Sequence, residues 1–291
     1  MTDPEQGRGL TGPATTVVRH VAAHLTGQVT SPQADARQLV AALVDRSPAE
    51  LVLAEVTPDQ SRELAVQMER RLRGEPLQHI LGRAWFRTVE VAVGPGVFVP
   101  RPETETMVQA ALDELAPLDT PRVVDLCAGS GVIAKAIAAE HPGAEVHAVE
   151  LSHDALDWAQ QNLAGTGVAL HDGDIADALS DRDEYFDVVI TNPPYVPLEA
   201  WESVPAEVRD HDPALAVFSG DDGLDLMRVI TRGGLRLLRP GGLLLAEHAE
   251  VQHEQIIDLF TAAGWAEVRD HQDLTGRWRF ITARRPLRSM A

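Results

Sequence analysis

From Arg122 onward, strand-sized apolar runs alternate with helix-length amphipathic segments, and that alternation leaves few folds open. Val123-Val124-Asp125-Leu126 reads as a strand, Ile133 to Glu140 as a helix, Glu145 to Leu151 as a strand and Ala155 to Leu163 as a helix. Val168-Ala169-Leu170 and Phe186 to Thr191 are the third and fourth strands. A helix over Leu224–Leu238, a fifth strand over Gly242–Glu247 and a helix over Gln252–Ala262 follow. Strands joined through helices pair in parallel, since a parallel crossover needs a dozen or more residues. The last two strand candidates, Ala266–Asp270 and Trp278–Thr282, lie too close together for such a crossover. The expected domain is α/β, with a mostly parallel sheet that ends in a C-terminal antiparallel hairpin.

Upstream the period changes. Val17, Val18, Val21 and Leu25 fit one helix face. Ser31-Pro32 offers an N-cap with proline at the first helical position, and Ala36, Leu39, Val40, Leu43 and Val44 form the stripe behind it. Ser47-Pro48-Ala49-Glu50 and Thr57-Pro58-Asp59-Gln60 read as capping boxes. The second opens a helix through Leu64, Met68 and Leu72 that Gly74 stops. A small N-terminal helical bundle is expected, preceded by a polar segment over residues 1–14 that reads as disordered. Between Gly74 and Arg101 the pieces are β-like: Trp85 to Val91, then Val97-Phe98-Val99. A linking hairpin turning at Gly94-Pro95-Gly96 fits them.

Composition narrows the function classes. With 44 acidic against 25 basic residues the formal charge is -19, which works against direct nucleic acid binding through phosphate. One cysteine excludes an internal disulfide and points to a reducing compartment. The amino terminus has neither a basic nor an apolar signal region, and no run reaches membrane-spanning length. A cytoplasmic monomer is expected, with no membrane contact and no metal.

Two loops carry the chemistry. Cys127-Ala128-Gly129-Ser130-Gly131 joins the first strand to the first helix, where glycines permit a tight turn and close approach of a ligand. Glu150 ends the second strand 19 residues after Gly131, placed to hold ribose hydroxyls, and Asp174 follows the third strand, placed to accept from an adenine amine. A nicotinamide dinucleotide and S-adenosylmethionine both fit this pattern. The terminal hairpin, the lack of a Lys or His acid for hydride chemistry, and the end of the fourth strand favour S-adenosylmethionine. That strand ends in Asn192-Pro193-Pro194-Tyr195. Two prolines cannot continue a ladder, so the chain stops rigidly there. The Asn192 side-chain oxygen and the Pro193 carbonyl can accept both N–H bonds of a planar NH2 group, and the Tyr195 ring can stack on its plane. Taken alone, the four residues also suit an ordinary strand-ending turn. Glu247-His248, at the end of the fifth strand, reads as a hydrogen-bonded structural pair.

In order along the chain, Gly74-Glu75-Pro76-Leu77-Gln78-His79-Ile80-Leu81-Gly82, Phe98-Val99-Pro100-Arg101-Pro102-Glu103-Thr104-Glu105, Val124 to Gly131, Asn192 to Tyr195, Asp212-Pro213-Ala214-Leu215-Ala216, Asp222-Gly223-Leu224 and Leu244 to His248 resemble the HemK/PrmC release-factor glutamine methyltransferases. The resemblance implies a Rossmann-like class I methyltransferase domain over residues 101–286. It also implies a helical substrate-docking domain over 15–82, a hairpin linker over 83–100 and a tail over 287–291. The activity implied is methyl transfer from S-adenosylmethionine to the side-chain amide nitrogen of the Gly-Gly-Gln glutamine in class I peptide chain release factors. Gly129, Ser130 and Gly131 would line the methionine part of the cofactor, with Asp125 and the Cys127-Ala128 backbone beside them. Glu150 would take the ribose, Asp174 and Ile175 would flank the adenine, and Arg101 and Thr104 would cover the cofactor. Asn192, Pro193, Pro194 and Tyr195 would hold and activate the glutamine. Cys127-Ala128 departs from the Gly and Thr that many members carry, which should cost only local repacking. Ribosomal-protein glutamine methyltransferases and adenine-amino nucleic acid methyltransferases share the Asn-Pro-Pro-Tyr box. The Pro-Glu-Thr-Glu run after Arg101 favours the release-factor branch, and the acidic charge disfavours nucleic acid. A binding module that has lost catalysis is the non-enzymatic alternative, and the intact box weighs against it.

Overall fold

The structure is a computed structural model that describes residues 10–288. The chain divides into two compact units. The first runs to Gly82 and takes in Ala206–His211; the second holds Arg83–Pro205 and Asp212 onward.

In the first unit β1 (Gly12–Pro13) pairs antiparallel with β2 (Glu55–Val56), around α1 (Ala14–Leu25), α2 (Pro32–Leu43), α3 (Pro58–Leu72), the short α4 (Leu77–Leu81) and, from later in the chain, α8 (Ala206–His211). The periodic stripes are its core: Val17, Val21, Leu25, Leu39, Val40 and Leu64 are fully buried. Thr57 forms a true capping box, its hydroxyl accepting from Gln60 N while its own N–H donates to Gln60 Oε1. Ser47 does not. Its N–H and hydroxyl both donate to Glu50 Oε2, so no oxygen is turned to a helix, and only a 3₁₀ turn over Glu50–Leu53 follows. Ser31 likewise makes no side-chain cap. Arg71 is buried and paired, donating to Asp35 Oδ2 (2.7 Å), Glu207 Oε2 (2.8 Å) and the Glu75 carbonyl (2.9 Å). A buried guanidinium needs this many partners to offset its lost hydration, and Glu207 ties α8 to the bundle. Of the segment 1–14 expected to be disordered, residues 1–9 lie outside the described residues. The remainder is ordered, because Leu10 is 2% exposed in the bundle core and Ala14 already opens α1. A single apolar residue among polar neighbours gives no periodic signal.

The second unit opens with a hairpin, β3 (Arg83–Phe86) and β4 (Val89–Ala92), whose turn is Arg87-Thr88 and not the expected Gly94-Pro95-Gly96. Arg87 sits at φ 49°, a conformation that usually calls for glycine or asparagine. Its side chain holds it there, donating twice to the Glu140 carboxylate (2.8 and 2.7 Å) and once to Gln109. After α5 (Thr104–Leu115) come β5 (Arg122–Leu126), α6 (Val132–Glu140), β6 (Glu145–Glu150), α7 (His153–Leu163), β7 (Ala169–Asp172) and β8 (Phe186–Thr191). Beyond the short α9 (Ala214–Val217) follow α10 (Asp225–Leu237), β9 (Leu238–Glu247), α11 (His253–Ala262), β10 (Ala266–Gln272) and β11 (Trp278–Arg284).

The seven strands run in the order β10-β11-β9-β8-β5-β6-β7, parallel from β9 to β7 and antiparallel at β9, β11 and β10. Residues from α5, α6, α7 and the first hairpin pack on one face, and residues from α10 and α11 on the other. The chain builds β5, β6 and β7 outward, then returns to place β8 on the other side of β5. That reversal makes the carboxyl ends of β5 and β8 the topological switch point at which open α/β sheets bind ligands.

The β10–β11 turn is stapled by Asp273. Its side chain, 2% exposed, accepts from Thr275 N and Oγ1 and from Arg277 N, and faces Arg279. Burial works to raise this carboxyl, but those donors outweigh it and hold the pKa at about 2. A depressed folded-state pKa stabilises above the unfolded value and loses that contribution as pH falls through the folded one. Asp273→Asn should therefore cost on the order of 2 kcal/mol at neutral pH, and the gap to the parent should close as pH falls from about 4 toward 2. Denaturant unfolding across that range checks it.

Candidate active site

Sheet register brings the candidate residues together. In the parallel ladder Leu126 is level with Val149 on one side and Thr191 on the other, and Thr191 is level with Ala246. The next residues, Cys127, Glu150, Asn192 and Glu247, therefore leave four adjacent strands at one height. Thr191 Oγ1 donates to the Leu126 carbonyl (2.5 Å), fixing β8 against β5 at the point where both loops begin.

The loop after β5 is a tight turn. Cys127, Gly129 and Gly131 have φ of 61°, 56° and 78°. A Cβ on Gly131 would meet Leu163 at 3.0 Å, whereas one on Gly129 would project into open space. Cys127 takes a left-handed conformation with a side chain attached, at a cost of about 1 kcal/mol. Burial and the neighbouring Glu150 carboxylate push its thiol up, so it stays protonated. Asn162 ties this loop to the hairpin: its Nδ2 donates to the Ser130 and Ala92 carbonyls (both 2.9 Å) and its Oδ1 accepts from Ala92 N (2.7 Å). No sequence feature singled it out, because its three backbone partners come from distant segments.

The groups around the loop are acceptors. Glu150 is buried and takes the N–H groups of Gly129 (2.7 Å), Leu151 (3.0 Å) and Ser152 (2.8 Å). Burial raises its pKa against those bonds. Asp125 is fully buried; its Oδ2 accepts from Ala134 N, its Oδ1 has no partner, and burial holds its pKa well above the ordinary range. Asp174 is exposed and accepts from Ala176 N, while Ile175 is buried beneath it. Carboxylate acceptors around an open glycine turn fit a ligand that brings hydroxyl and amine donors and positive charge. S-adenosylmethionine has all three. Among the described residues no group of side chains is arranged to hold a metal ion.

The loop after β8 is held from behind. Asn192 Nδ2 donates to Thr104 Oγ1 (3.3 Å), and Thr104 Oγ1 donates to Glu247 Oε2 (2.6 Å). The Tyr195 hydroxyl donates to the other oxygen of Glu247 (3.2 Å). Burial raises Tyr195, and the adjacent Glu247 carboxylate adds to the rise. Burial also raises Glu247, against the Thr104 bond and the charge of Arg279. Gln252, 1% exposed, donates to the Tyr195 carbonyl (3.0 Å), and Val196 pairs with Phe218. Arg101 donates to the buried Asp212 (2.8 Å) and lies over the Phe98 ring.

Glu247 and His248 are not the expected structural pair. Successive strand residues point to opposite faces. Glu247 turns to Thr104 and Tyr195, while His248 turns to Asp270 (2.9 Å). Gln252 and Gly223 also escaped the sequence reading as site residues. Gly223, at φ 75°, lies so close to the acceptor loop that a Cβ there would stand 2.2 Å from the Tyr195 carbonyl oxygen and 2.7 Å from Gln252 Nε2. The Asp-Gly-Leu signal was visible, but not what the glycine abuts.

The comparisons with known proteins agree with this geometry. A PrmC N-terminal domain model matches residues 16–82 and a methyltransferase small domain model matches 88–204. A release factor glutamine methyltransferase of Streptomyces coelicolor is 51% identical over 89% of this chain and 93% of its own length. Its counterpart in Bifidobacterium longum is 41% identical over 88% and 93%. A 4-amino-L-phenylalanine/4-methylamino-L-phenylalanine methyltransferase of Streptomyces pristinaespiralis is 38% identical over 89% of this chain and 88% of its own length.

Gly223→Ala should displace the Tyr195 carbonyl, costing about 1–3 kcal/mol of stability by overpacking. Methyl transfer should drop at least tenfold while S-adenosylmethionine affinity, read by calorimetry, holds. With the two loops in register and relatives matched across both units, the chain belongs to the HemK/PrmC family of release factor glutamine methyltransferases.

Proposed function

We infer that this protein transfers a methyl group from S-adenosylmethionine to the side-chain amide nitrogen of the glutamine in the Gly-Gly-Gln motif of class I release factors, acting in the cytoplasm. The observation that carries the reading is the Asn192–Tyr195 loop standing level with the glycine turn, on a chain 51% identical to a relative bearing that name. When bound, S-adenosylmethionine supplies an electrophilic methyl group on a sulfonium.

The chain's own residues do the rest. Gly129, Ser130 and Gly131 line the methionine part, with the Cys127-Ala128 backbone behind them and the unpartnered oxygen of Asp125 nearby. Glu150 takes the ribose hydroxyls, and Asp174 and Ile175 flank the adenine. Arg101 closes over the site from its salt bridge with Asp212.

A glutamine amide is a poor nucleophile, since its lone pair is delocalised into the carbonyl. Asn192 Oδ1 and the Pro193 carbonyl accept both of its N–H bonds, orienting the nitrogen and raising its electron density as it pyramidalises. The Tyr195 ring packs on the amide plane. Positioning and electrostatics supply the rate, and the excess proton departs afterward, so no general base is needed before transfer. The first unit is the docking platform for the release factor. It leaves Val52 and Leu53 exposed (73% and 88%), apolar surface that suits a protein partner.

Labelled methyl transfer tests the reading against purified release factor, its Gln-substituted form, a ribosomal fraction, DNA and free 4-amino-L-phenylalanine. Label should enter the unsubstituted release factor alone. Asn192→Ala should lower turnover at least a hundredfold with cofactor affinity kept. Equal labelling of the Gln-substituted factor, or undiminished turnover by Asn192→Ala, would refute it.

A further inference from the structure

Glutamine recognition on the reading above requires the Asn192 amide to face the substrate with its oxygen and not its NH2. Local geometry allows either, because the two ends of an amide have nearly the same shape and only hydrogen-bond partners tell them apart. The Asn192–Thr104–Glu247 chain of bonds supplies the distinction.

We propose that Glu247, acting through Thr104, is a positioning device that sets the direction of the Asn192 amide. A carboxylate only accepts. The Thr104 hydroxyl, 2.6 Å from Glu247 Oε2, therefore spends its single proton on Glu247. What Thr104 then offers Asn192 is a lone pair, and only the NH2 end can use it, at 3.3 Å. The opposite end, Oδ1, is left for the substrate amide. Thr104 is 3% exposed and Glu247 2%, so water does not compete for these groups. Reversing the amide would set its oxygen against the Thr104 oxygen with no proton between them.

The same carboxylate serves the other half of the grip. Its Oε1 accepts from the Tyr195 hydroxyl at 3.2 Å, so one buried group orients the amide that accepts the N–H bonds and anchors the ring that packs on the amide plane. Thr104 opens α5 and Glu247 ends β9, both regular elements of the second unit. The device thus stands on rigid scaffold, while the loop it directs contains two prolines. Neither residue touches the reacting atoms in this account; each acts on Asn192 or Tyr195.

The inference rests on the glutamine-methylation reading, and two readouts separate their failures. The first is turnover. Thr104→Val keeps the shape and removes the hydroxyl; it should lower kcat roughly tenfold to a hundredfold, while Thr104→Ser recovers most of the loss. Glu247→Gln can still hydrogen-bond Thr104 but can now donate to it, so direction is no longer enforced. It should lower kcat at least tenfold with its melting temperature near the parent's. The second readout needs no substrate. The side-chain NH2 signals of Asn192 in amide-labelled protein, identified by their loss in Asn192→Ala, should exchange slowly with solvent in the parent and in Thr104→Ser, and faster in Thr104→Val and Glu247→Gln. Parent-like turnover in Glu247→Gln, equal turnover in Thr104→Val and Thr104→Ser, or NH2 exchange unchanged in Thr104→Val overturns the proposal. Parent protein that labels no release factor, with the exchange pattern as stated, overturns the substrate reading and leaves the device standing.

Discussion

The register of four parallel strands is the constraint on which the rest depends. Val149, Leu126, Thr191 and Ala246 are level across β6, β5, β8 and β9. Each strand therefore delivers its next residue to the same rim of the sheet. A parallel ladder shifted by one residue would turn every side chain of the strand to the opposite face. Val188 packs into the core on one face and Val189 into the core on the other, so a slip would press each into a layer shaped for its neighbour. The hydrophobic core on both faces thus fixes the height at which the glycine turn meets the acceptor loop.

Above that rim the site is built mainly from acceptors. Asp125, Glu150 and Glu247 are buried carboxyl groups whose pKa values burial raises, an expense a stable fold would avoid without use for them. Glu150 is stabilised by three backbone N–H groups and Glu247 by two hydroxyls. Backbone packing completes the arrangement: Gly223 and Gln252 hold the Tyr195 carbonyl, and Asn162 holds the glycine turn. A loop with two prolines cannot make its own ladder bonds, so these neighbours supply its rigidity.

Much of this was legible in the chain itself. The sheet and its terminal hairpin follow from strand spacing, and the glycine turn and proline box are local patterns. What escaped depends on contacts between distant segments. The Arg87-Thr88 turn is held by Glu140, 53 residues away, and carries no turn residue of its own. Ser47 is the local exception: it resembles a cap, but Glu50, three residues on, captures both of its donors. Leu10 is apolar among polar residues and is ordered only because the bundle has a place for it. Glu247 was visible as an acidic residue at a strand end, yet its partners, Thr104 and Tyr195, are 143 and 52 residues away. Its adjacency to His248 suggested a pair that strand geometry forbids.

On the function proposed above, the four-strand rim presents a glutamine amide for methylation. Tandem mass spectrometry of release factor incubated with this protein and S-adenosylmethionine tests it most directly. One added methylene's mass is expected, confined to the glutamine of Gly-Gly-Gln and carried on its side-chain nitrogen. Modification at any other residue, or an unmodified factor recovered from an incubation in which the protein binds S-adenosylmethionine, would contradict it.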